Sequence, residues 1–427
     1  MRTFTFKGGV RPPQNKTTLD CQITPMPAPP QLIYPLTGYF GAECEPMVEM
    51  GENVRAGQMI AKENGELSVP VHASVSGRVS AVEPRLHPSG EMVNSIVIEN
   101  DGQDNKCVSA VPERSFRDMP SEEIAGIVKE AGIVGVDGFP THIKLSPLQD
   151  KYIDCVIING AECEPYLTAD HRVMAEKAKA VLYGMQTVLW SFRLREGYIG
   201  IEADKHEAIK VMTEAAQSSP SIKITVVPLK SKYPQGSERQ LIRTITGQEV
   251  PKGKLPADMG VIVHNVETCR AIADVMKTGM PLTEQVITVA GDCVRKRGNY
   301  LIKIGTPVKD VLSFCNSKIP AKVIMGGPMT GAAIPSLEVP VIKSAGGILA
   351  FSKRLSRTGK TYPCTRCGKC AVVCPMRLIP CELAGEAQAE NIDQLTALDI
   401  ENCTECGACS YVCPSNRHPL KYIRLAR

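Results

Sequence analysis

The sequence predicts a multidomain α/β protein that carries a short cysteine-rich segment near its C-terminus. At 427 residues, the chain exceeds the roughly 250–300 residues at which one hydrophobic core stops growing, so several domains are expected. Between residues 120 and 280, strand-like apolar segments alternate with amphipathic helix-like segments, which is typical of an α/β domain with a largely parallel sheet. Eight of the seventeen cysteines lie in two short runs, and such crowding favours metal ligation over disulfides.

Composition and charge argue against several classes of protein. The chain is 43% hydrophobic and 22% charged, which is ordinary for a soluble globular protein, and no stretch approaches the ~18 apolar residues of a membrane span. Residues 1–13 lack the apolar region and cleavage site of a secretory signal, so the cytoplasm is the expected compartment. A formal net charge of +4 is too small to indicate nucleic-acid binding. We therefore expect no direct membrane insertion, and any membrane association would be through partner subunits.

Changes in residue pattern divide the chain into five segments. Residues 1–35 are rich in proline and predict an extended arm that wraps a neighbouring domain. Residues 36–110 carry short apolar stretches split by glycine and proline, which predicts a small all-β unit. Residues 118–282 form the α/β domain, residues 283–352 a strand-rich module, and residues 360–427 the cysteine-rich domain.

The small all-β unit resembles the barrel-sandwich hybrid of lipoyl and biotinyl domains. The shared pattern is G-x-x-V-x-x-G-Q, with Gly51, Val54, Gly57 and Gln58 at its fixed positions. Those carrier domains attach their cofactor to a lysine at an exposed hairpin tip, and the corresponding stretch Val69–Gly77 contains no lysine. We therefore predict a structural role for this unit and not a swinging cofactor arm.

The two cysteine runs share the spacing C-x2-C-x2-C-x3-C-P, which is the pattern of bacterial ferredoxins with two [4Fe-4S] clusters. Three closely spaced cysteines can face one cubane, while the fourth ligates the other cluster. The predicted ligands are Cys364, Cys367, Cys370 and Cys413 for the first cluster, and Cys403, Cys406, Cys409 and Cys374 for the second. Zinc sites built from C-x2-C pairs would not explain a fourth cysteine followed by proline in each run.

Two glycines and one further cysteine accompany these runs. Gly368 and Gly407 lie inside the turns, where the missing Cβ would let backbone N–H groups approach the cluster sulfurs. Cys381 lies outside the repeated spacing, so we expect it to be structural and not a ligand. Because two clusters in one unit carry electrons one at a time, the segment predicts an electron-transfer protein that needs a redox source.

Motifs along nearly the whole chain resemble the RnfC family, the peripheral cytoplasmic subunit of the membrane ferredoxin:NAD oxidoreductase complex. In chain order they are FKGGVRPP, VHASVSG, AGIVGVDGFPTHIKLSP, NGAECEPYLTADHR, KYPQGSERQLI, GKLPADMGVIVHNVET, MGGPMTG and the two cysteine runs. RnfC is in turn similar to the flavin subunit of respiratory complex I, which binds FMN and accepts hydride from NADH. The resemblance implies a Rossmann-like α/β domain of the complex I flavin-subunit type, a β-grasp (SLBB-like) module and a helical two-cluster ferredoxin domain.

The same resemblance implies cofactor-binding residues in the α/β domain. Flavin would convert a two-electron hydride into single electrons that the clusters can carry. Glu164 would face the ribose of the nicotinamide in NADH, and no catalytic residue is assigned. The residues implied for FMN are Gly135, Lys144, Asn159, Glu162, Lys232, Tyr233, Gly236, Glu238, Asn265 and Thr268.

One loop departs from the family pattern. The family has G-I-V-G-x-G-G-A-x-F-P-T, whereas the segment here that ends in Gly135–Thr141 is two residues shorter and contains Asp137. Losing glycines removes backbone donors, and a carboxylate beside a phosphate is repulsive. The sequence therefore leaves two hypotheses open: NADH oxidation through FMN, or a non-enzymatic cluster adaptor whose flavin site has decayed.

The electron acceptor is open as well. Cys269 and Cys293 stand where members of membrane complexes usually have apolar or small residues, and buried structural thiols are the expected explanation. These departures favour a soluble paralogue of the PrdC type, the electron-transfer protein that accompanies D-proline reductase. The alternative is a peripheral component of the Rnf complex, with other Rnf subunits as partners.

Overall fold

A computed structural model of the chain describes residues 3–38, 40–107, 115–146, 151–218, 222–356 and 359–427. The expected end of the barrel-sandwich unit at residue 110 lies outside these ranges. Within them, no helix has both the length and the apolar character needed to cross a membrane.

The N-terminal arm has little secondary structure of its own and lies against three other parts of the chain. Its single strand, β1, spans Ile23–Pro25. Upstream, Phe4 forms a parallel bridge with Leu229 and Val10 an antiparallel bridge with Tyr233, both on the α/β domain. The N–H of Gly9 donates to the carbonyl of Val373 in the cysteine-rich domain at 2.8 Å. The arm therefore joins the two domains that carry the predicted cofactor residues.

The all-β unit consists of two small sheets packed face to face. Its strands are β2 (Gln31–Pro35), β3 (Glu45–Pro46), β4 (Asn53–Val54), β5 (Met59–Lys62), β6 (Val71–His72), β7 (Gly77–Leu86) and β8 (Met92–Asn100). One sheet has the order β2-β8-β7-β4 and the other β3-β5-β6. Buried side chains such as Leu32, Ile60 and Ile98 fill the space between the two sheets. This is the barrel-sandwich arrangement that the glycine pattern predicts.

The α/β domain contains a four-stranded, fully parallel sheet in the order β11-β10-β9-β12. Its elements are α1 (Ser121–Glu130), α2 (Thr141–Leu145), β9 (Cys155–Gly160), α3 (Ala169–Glu176), α4 (Ala178–Ser191), β10 (Glu196–Glu202), α5 (His206–Gln217), β11 (Lys223–Leu229), α6 (Glu238–Thr246), β12 (Val261–Asn265) and α7 (Val266–Thr278). Because strand side chains alternate between faces, Val156 and Ile158 join the larger core with α4 and α7. Ile157 packs on the opposite face with Leu241 of α6. Covered on both faces, the sheet leaves its strand ends for ligands.

The following module has a mixed sheet in the order β1-β14-β13-β17-β15-β16, with β1 contributed by the arm. Its own elements are β13 (Glu284–Ala290), β14 (Gly298–Lys303), α8 (Val308–Phe314), β15 (Lys322–Met325), β16 (Ala332–Ala333) and β17 (Gly347–Phe351). β13 pairs with β14 in antiparallel and with β17 in parallel orientation, which is the β-grasp arrangement. Cys293 is buried in the core of this module, whereas Cys269 is buried in the α/β domain, so these two thiols do not meet.

The cysteine-rich domain is helical. Its elements are α9 (Lys369–Val373), α10 (Pro380–Gln388), α11 (Ile392–Ala397), α12 (Ala408–Tyr411) and α13 (Pro419–Leu425), and three further 3-10 turns lie along the chain at Phe116–Asp118, Pro256–Met259 and Ile400–Asn402. Gly368 and Gly407 precede α9 and α12 with φ of +73° and +75°. An added Cβ on Gly368 would meet nothing within 4 Å, so the left-handed conformation is what favours glycine there, and not close approach.

Candidate functional site

A cavity of about 360 Å³ lies at the carboxyl end of the parallel sheet. We call it the central cavity. It is bounded by the loops after β9 and β12, by two loops of the β-grasp module, and by the second cysteine run. Eight of the implied cofactor residues line it: Gly135, Asn159, Glu162, Glu164, Tyr233, Gly236, Asn265 and Thr268. Its volume is within the range of small-molecule sites, and its position is the one at which parallel sheets bind ligands.

Two asparagines fix the loops at the strand ends. The Asn159 amide donates to the Gly236 carbonyl at 2.8 Å, and its oxygen accepts from the N–H of Ala161 at 3.0 Å. Asn265 is the N-cap of α7, since its oxygen accepts from the N–H of Glu267 at 2.7 Å. Both side chains are thus held in fixed orientations at the cavity wall.

Two acidic side chains meet at the start of α3. A carboxylate oxygen of Glu162 accepts from the N–H of Asp170 at 3.0 Å, and Asp170 accepts from the amide of Asn265 at 2.8 Å. Burial raises the pKa of Glu162, and burial together with the neighbouring charge of Glu162 raises the pKa of Asp170 to about 8. Two adjacent carboxylates in this setting cannot both ionise at low cost, so the pair holds a proton at neutral pH.

Glu164 connects the α/β domain to the β-grasp module. Its carboxylate accepts from the N–H of Met329 at 3.0 Å, the N–H of Thr330 at 3.0 Å and the hydroxyl of Thr330 at 2.6 Å. Burial raises its pKa, while these donors favour the charged form. The residue that the resemblance assigns to the nicotinamide ribose therefore lines the cavity but already has three donors.

Lys16 of the arm contributes to the site although no sequence motif indicates it. Its ammonium donates to the carbonyls of Glu162 at 2.7 Å and Glu164 at 3.0 Å, and also to that of Leu167. These contacts fix the loop that carries both acids. A single lysine in a proline-rich arm gives no local sequence signal of such a role.

Lys343 is a second contributor without a sequence signal. It lines the central cavity, and its ammonium donates to the carbonyls of Pro70 and Gly132 at 2.8 Å each. It thereby joins the barrel-sandwich unit, the α/β domain and its own β-grasp module. Burial lowers its pKa to about 8.

A smaller side cavity of about 150 Å³ adjoins the central cavity. The two share Gly135, Val136, Asn159, Gly236, Asn265 and Thr268. Lys144 lies there, 3.1 Å from Glu238 and 3.7 Å from Asp137. Burial would lower the pKa of Lys144, but the two carboxylates outweigh burial and hold it above its ordinary value. The one lysine expected to face a phosphate is therefore charged and already paired.

Lys232 does not line either cavity. Its ammonium donates to the carbonyls of Phe6 at 2.6 Å and Gly8 at 2.8 Å, and lies 3.8 Å from the centre of the Phe6 ring. The expectation that Lys232 contacts FMN is not met, because the N-terminal arm binds the ammonium first. Tyr233, the next residue, does reach the central cavity.

The eight cysteines of the two runs line two separate cavities, in the grouping that the spacing predicts. The inner cysteine cavity is lined by Cys374, Cys403, Cys406 and Cys409. The outer cysteine cavity is lined by Cys364, Cys367, Cys370 and Cys413, and in addition by Cys381. Cys364 and Cys367 are exposed, whereas Cys370 and Cys409 are buried and pack in one apolar group. The outer cavity thus faces the surface, and the two cavities are neighbours.

Cys406 also lines the central cavity, next to Tyr233. The Tyr233 hydroxyl donates to the Cys406 carbonyl at 2.6 Å. The side chains of Cys163, Met329 and Ala408 belong to the same apolar group. The inner cysteine cavity and the central cavity therefore share a wall.

The residues present fit a flavin mononucleotide with one exception. Within the described ranges, Thr141 Oγ1 and His264 Nε2 are buried without a protein hydrogen-bond partner, and both belong to the side cavity. Burial, together with the charge of Lys144, lowers the pKa of His264 to about 3, so the ring is neutral. Unpartnered polar atoms beside a lysine suit a polar ligand group. The exception is Asp137, whose carboxylate stands at the same place.

Comparison with known proteins supports these features. Residues 4–103 match the RnfC barrel sandwich hybrid domain, residues 128–274 the Nuo51 FMN-binding domain and residues 363–417 the 4Fe-4S dicluster domain. The chain thus combines an FMN-binding domain with a two-cluster domain. An NAD+-reducing [NiFe]-hydrogenase has a similar structure, with a TM-score of 0.53 and 18% identity over 74% of this chain and 64% of that chain. At that identity, the likeness concerns the fold alone.

Fold and site together define a flavin- and iron–sulfur-containing electron-transfer protein. The relatives, all RnfC proteins, make the assignment narrower. The one from the Na(+)-translocating ferredoxin:NAD(+) oxidoreductase complex of Acetobacterium woodii is 44% identical over 91% of this chain and 89% of its own length. The one from the proton-translocating complex of Clostridium ljungdahlii is 41% identical over 89% and 84%. The one from the ion-translocating oxidoreductase complex of Rhodobacter capsulatus is 40% identical over 92% and 77%. The chain belongs to the RnfC family.

Proposed function

We propose that this chain is the NAD(H)-reacting peripheral component of an Rnf-type complex. In this proposal NADH binds in the central cavity, FMN occupies the central and side cavities, and two [4Fe-4S] clusters occupy the cysteine cavities. Bound FMN would supply the conversion of a hydride into single electrons. The observation that carries the proposal is the position of Cys406, which lines both the central cavity and the inner cysteine cavity.

The order of the sites gives electrons a direction in space. They would pass from the central cavity to the inner cysteine cavity, whose wall Cys406 and Tyr233 form. The outer cysteine cavity follows, because Cys370 packs against Cys409 of the inner one. Exposed Cys364 and Cys367 would then lie where a partner can approach.

The nature of the relatives favours other Rnf subunits as partners. The proteins at 40–44% identity are named as components of ferredoxin:NAD oxidoreductase or ion-translocating oxidoreductase complexes. By likeness to them, the chain would be held at the membrane by partner subunits. This partner is better supported than D-proline reductase, which the departures at Cys269 and Cys293 favour. Reduced protein should pass electrons to Rnf partner subunits faster than to D-proline reductase, and the reverse order would restore the soluble-paralogue hypothesis.

Anaerobic titration with NADH tests the electron path. Protein reconstituted with iron, sulfide and FMN should hold about eight iron atoms, as two [4Fe-4S] clusters require, and NADH should bleach both flavin and cluster absorbance. Cys406→Ser should keep flavin bleaching but lose rapid cluster bleaching. Cys155→Ser is the matched control, because Cys155 is half-buried and lines neither the central nor the inner cavity. Clusters that dithionite reduces but NADH does not, in a protein that binds no flavin, would establish the adaptor hypothesis instead.

A further inference from the structure

Five thiols, and not four, surround the outer cysteine cavity. The fifth is Cys381, which lines the same cavity as Cys364, Cys367, Cys370 and Cys413. A [4Fe-4S] cluster takes four cysteine ligands, so one thiol in this set is in excess. The repeated spacing does not include Cys381, and only the fold brings it to the cavity.

Cys381 is next to one particular ligand. The sulfur of Cys370 is hydrogen-bonded both to the thiol and to the backbone N–H of Cys381. Cys381 is the second residue of α10, where the first N–H groups have no partner inside the helix. It also packs against the buried group formed by Cys370, Cys409 and Leu420. The contact is therefore built into the fold and is not a chance approach at the surface.

The inner cysteine cavity provides an internal comparison. It repeats the same loop and the same left-handed glycine, yet its lining contains only the four cysteines of the predicted set. Pro380, the residue before Cys381, also lines the inner cavity, whereas Cys381 itself lines only the outer one. The excess thiol thus belongs to the cavity whose other cysteines are exposed.

We propose that Cys381 is an alternative ligand of the outer cluster and can replace Cys370. The inference rests on the proposed function, since it requires a cluster in the outer cavity. In the exchange, the iron–sulfur bond to Cys370 breaks, iron binds the Cys381 sulfur, and the thiol proton of Cys381 passes to Cys370. No electron is gained or lost. The exchange would let the exposed cluster survive damage to one of its ligands.

Iron content and electron paramagnetic resonance of reduced protein test this. Wild type, Cys381→Ala and Cys370→Ala should each hold about eight iron atoms, whereas the Cys370→Ala/Cys381→Ala double variant should hold about four. Cys367→Ala is the matched control and should also hold about four, because Cys367 has no such substitute. About four iron atoms in Cys370→Ala with eight in the wild type would overturn the inference alone. A wild type without clusters would overturn the proposed function.

A labelling experiment covers the case in which Cys370→Ala does not fold. Cys370→Ser conserves the side-chain volume and is tested in the same way. In addition, cluster-loaded wild type is treated with a thiol-specific maleimide under anaerobic conditions and analysed by mass spectrometry. Exchange predicts slow labelling of both Cys370 and Cys381, with Cys367 protected. Complete protection of Cys370 with full labelling of Cys381 would overturn the inference.

Discussion

Replacement of Asp137 by asparagine should strengthen FMN binding. The Asp137 carboxylate lies 3.7 Å from the ammonium of Lys144, which Glu238 also contacts at 3.1 Å. A flavin phosphate in the side cavity would have to compete with that carboxylate for the one lysine. Removal of the Asp137 charge leaves Lys144 with a single carboxylate partner.

The size of the effect follows from distance and exposure. Two unit charges about 4 Å apart interact by about 1 kcal/mol in water and by about 4 kcal/mol near a protein surface. The Asp137 side chain is 52% exposed, so a value near the lower limit applies. An increase of about 1 kcal/mol in binding free energy corresponds to a roughly fivefold lower dissociation constant for FMN.

The assay compares FMN with riboflavin, which lacks the phosphate. Quenching of flavin fluorescence gives both dissociation constants, for the wild type, for Asp137→Asn and for the control Asp104→Asn, an exposed residue of the barrel-sandwich unit. Only FMN binding to Asp137→Asn should tighten, and the gain should shrink at high salt because partly exposed charges are screened. An equal change for riboflavin, or no change for FMN, would refute the electrostatic argument.

Three further changes probe the walls of the central cavity. Asp170→Asn should raise the thermal midpoint at pH 8.5 by about 2 °C or more and have little effect near pH 4, because the folded pKa of about 8 exceeds the unfolded one and the wild type loses stability as pH rises between them; equal shifts at both pH values would contradict the raised pKa. Tyr233→Phe leaves the Cys406 carbonyl without its donor, so scanning calorimetry should show a loss of about 1–3 kcal/mol, and iron should be lost faster to a chelator. Lys16→Met leaves the Glu162 carbonyl and two others without their shared donor and should cost about 3 kcal/mol by the same measurement, whereas no loss would mean that water replaces the ammonium.

The features that could be predicted from the sequence are those fixed by local pattern. Alternating burial of Val156, Ile157 and Ile158 follows from the two-residue period of a strand covered on both faces. The spacing of each cysteine run sets the grouping in the two cysteine cavities, because a short turn decides which thiols can face together. Asn159 and Asn265 reach the central cavity because parallel strands end at one edge.

The features that could not be predicted depend on which distant segment arrives as a neighbour. The family resemblance places Lys232 at the flavin, but the arm supplies carbonyls that bind its ammonium. Lys16 and Lys343 contribute to the site from other domains, and nothing in their local sequence indicates their partners. Cys381 lies outside the spacing rule, and only the packing of α10 brings it beside Cys370.

The N-terminal arm also has a consequence for the order in which the protein is made. The arm leaves the ribosome first, yet Gly9 is hydrogen-bonded to Val373, which is synthesised among the last residues of the chain. Val10 and Lys16 can settle on the α/β domain earlier, once residue 233 and the loop after β9 have emerged. Completion of the arm must therefore wait for the segment that receives the iron. Assembly of the clusters and closure of the arm are late events that occur together.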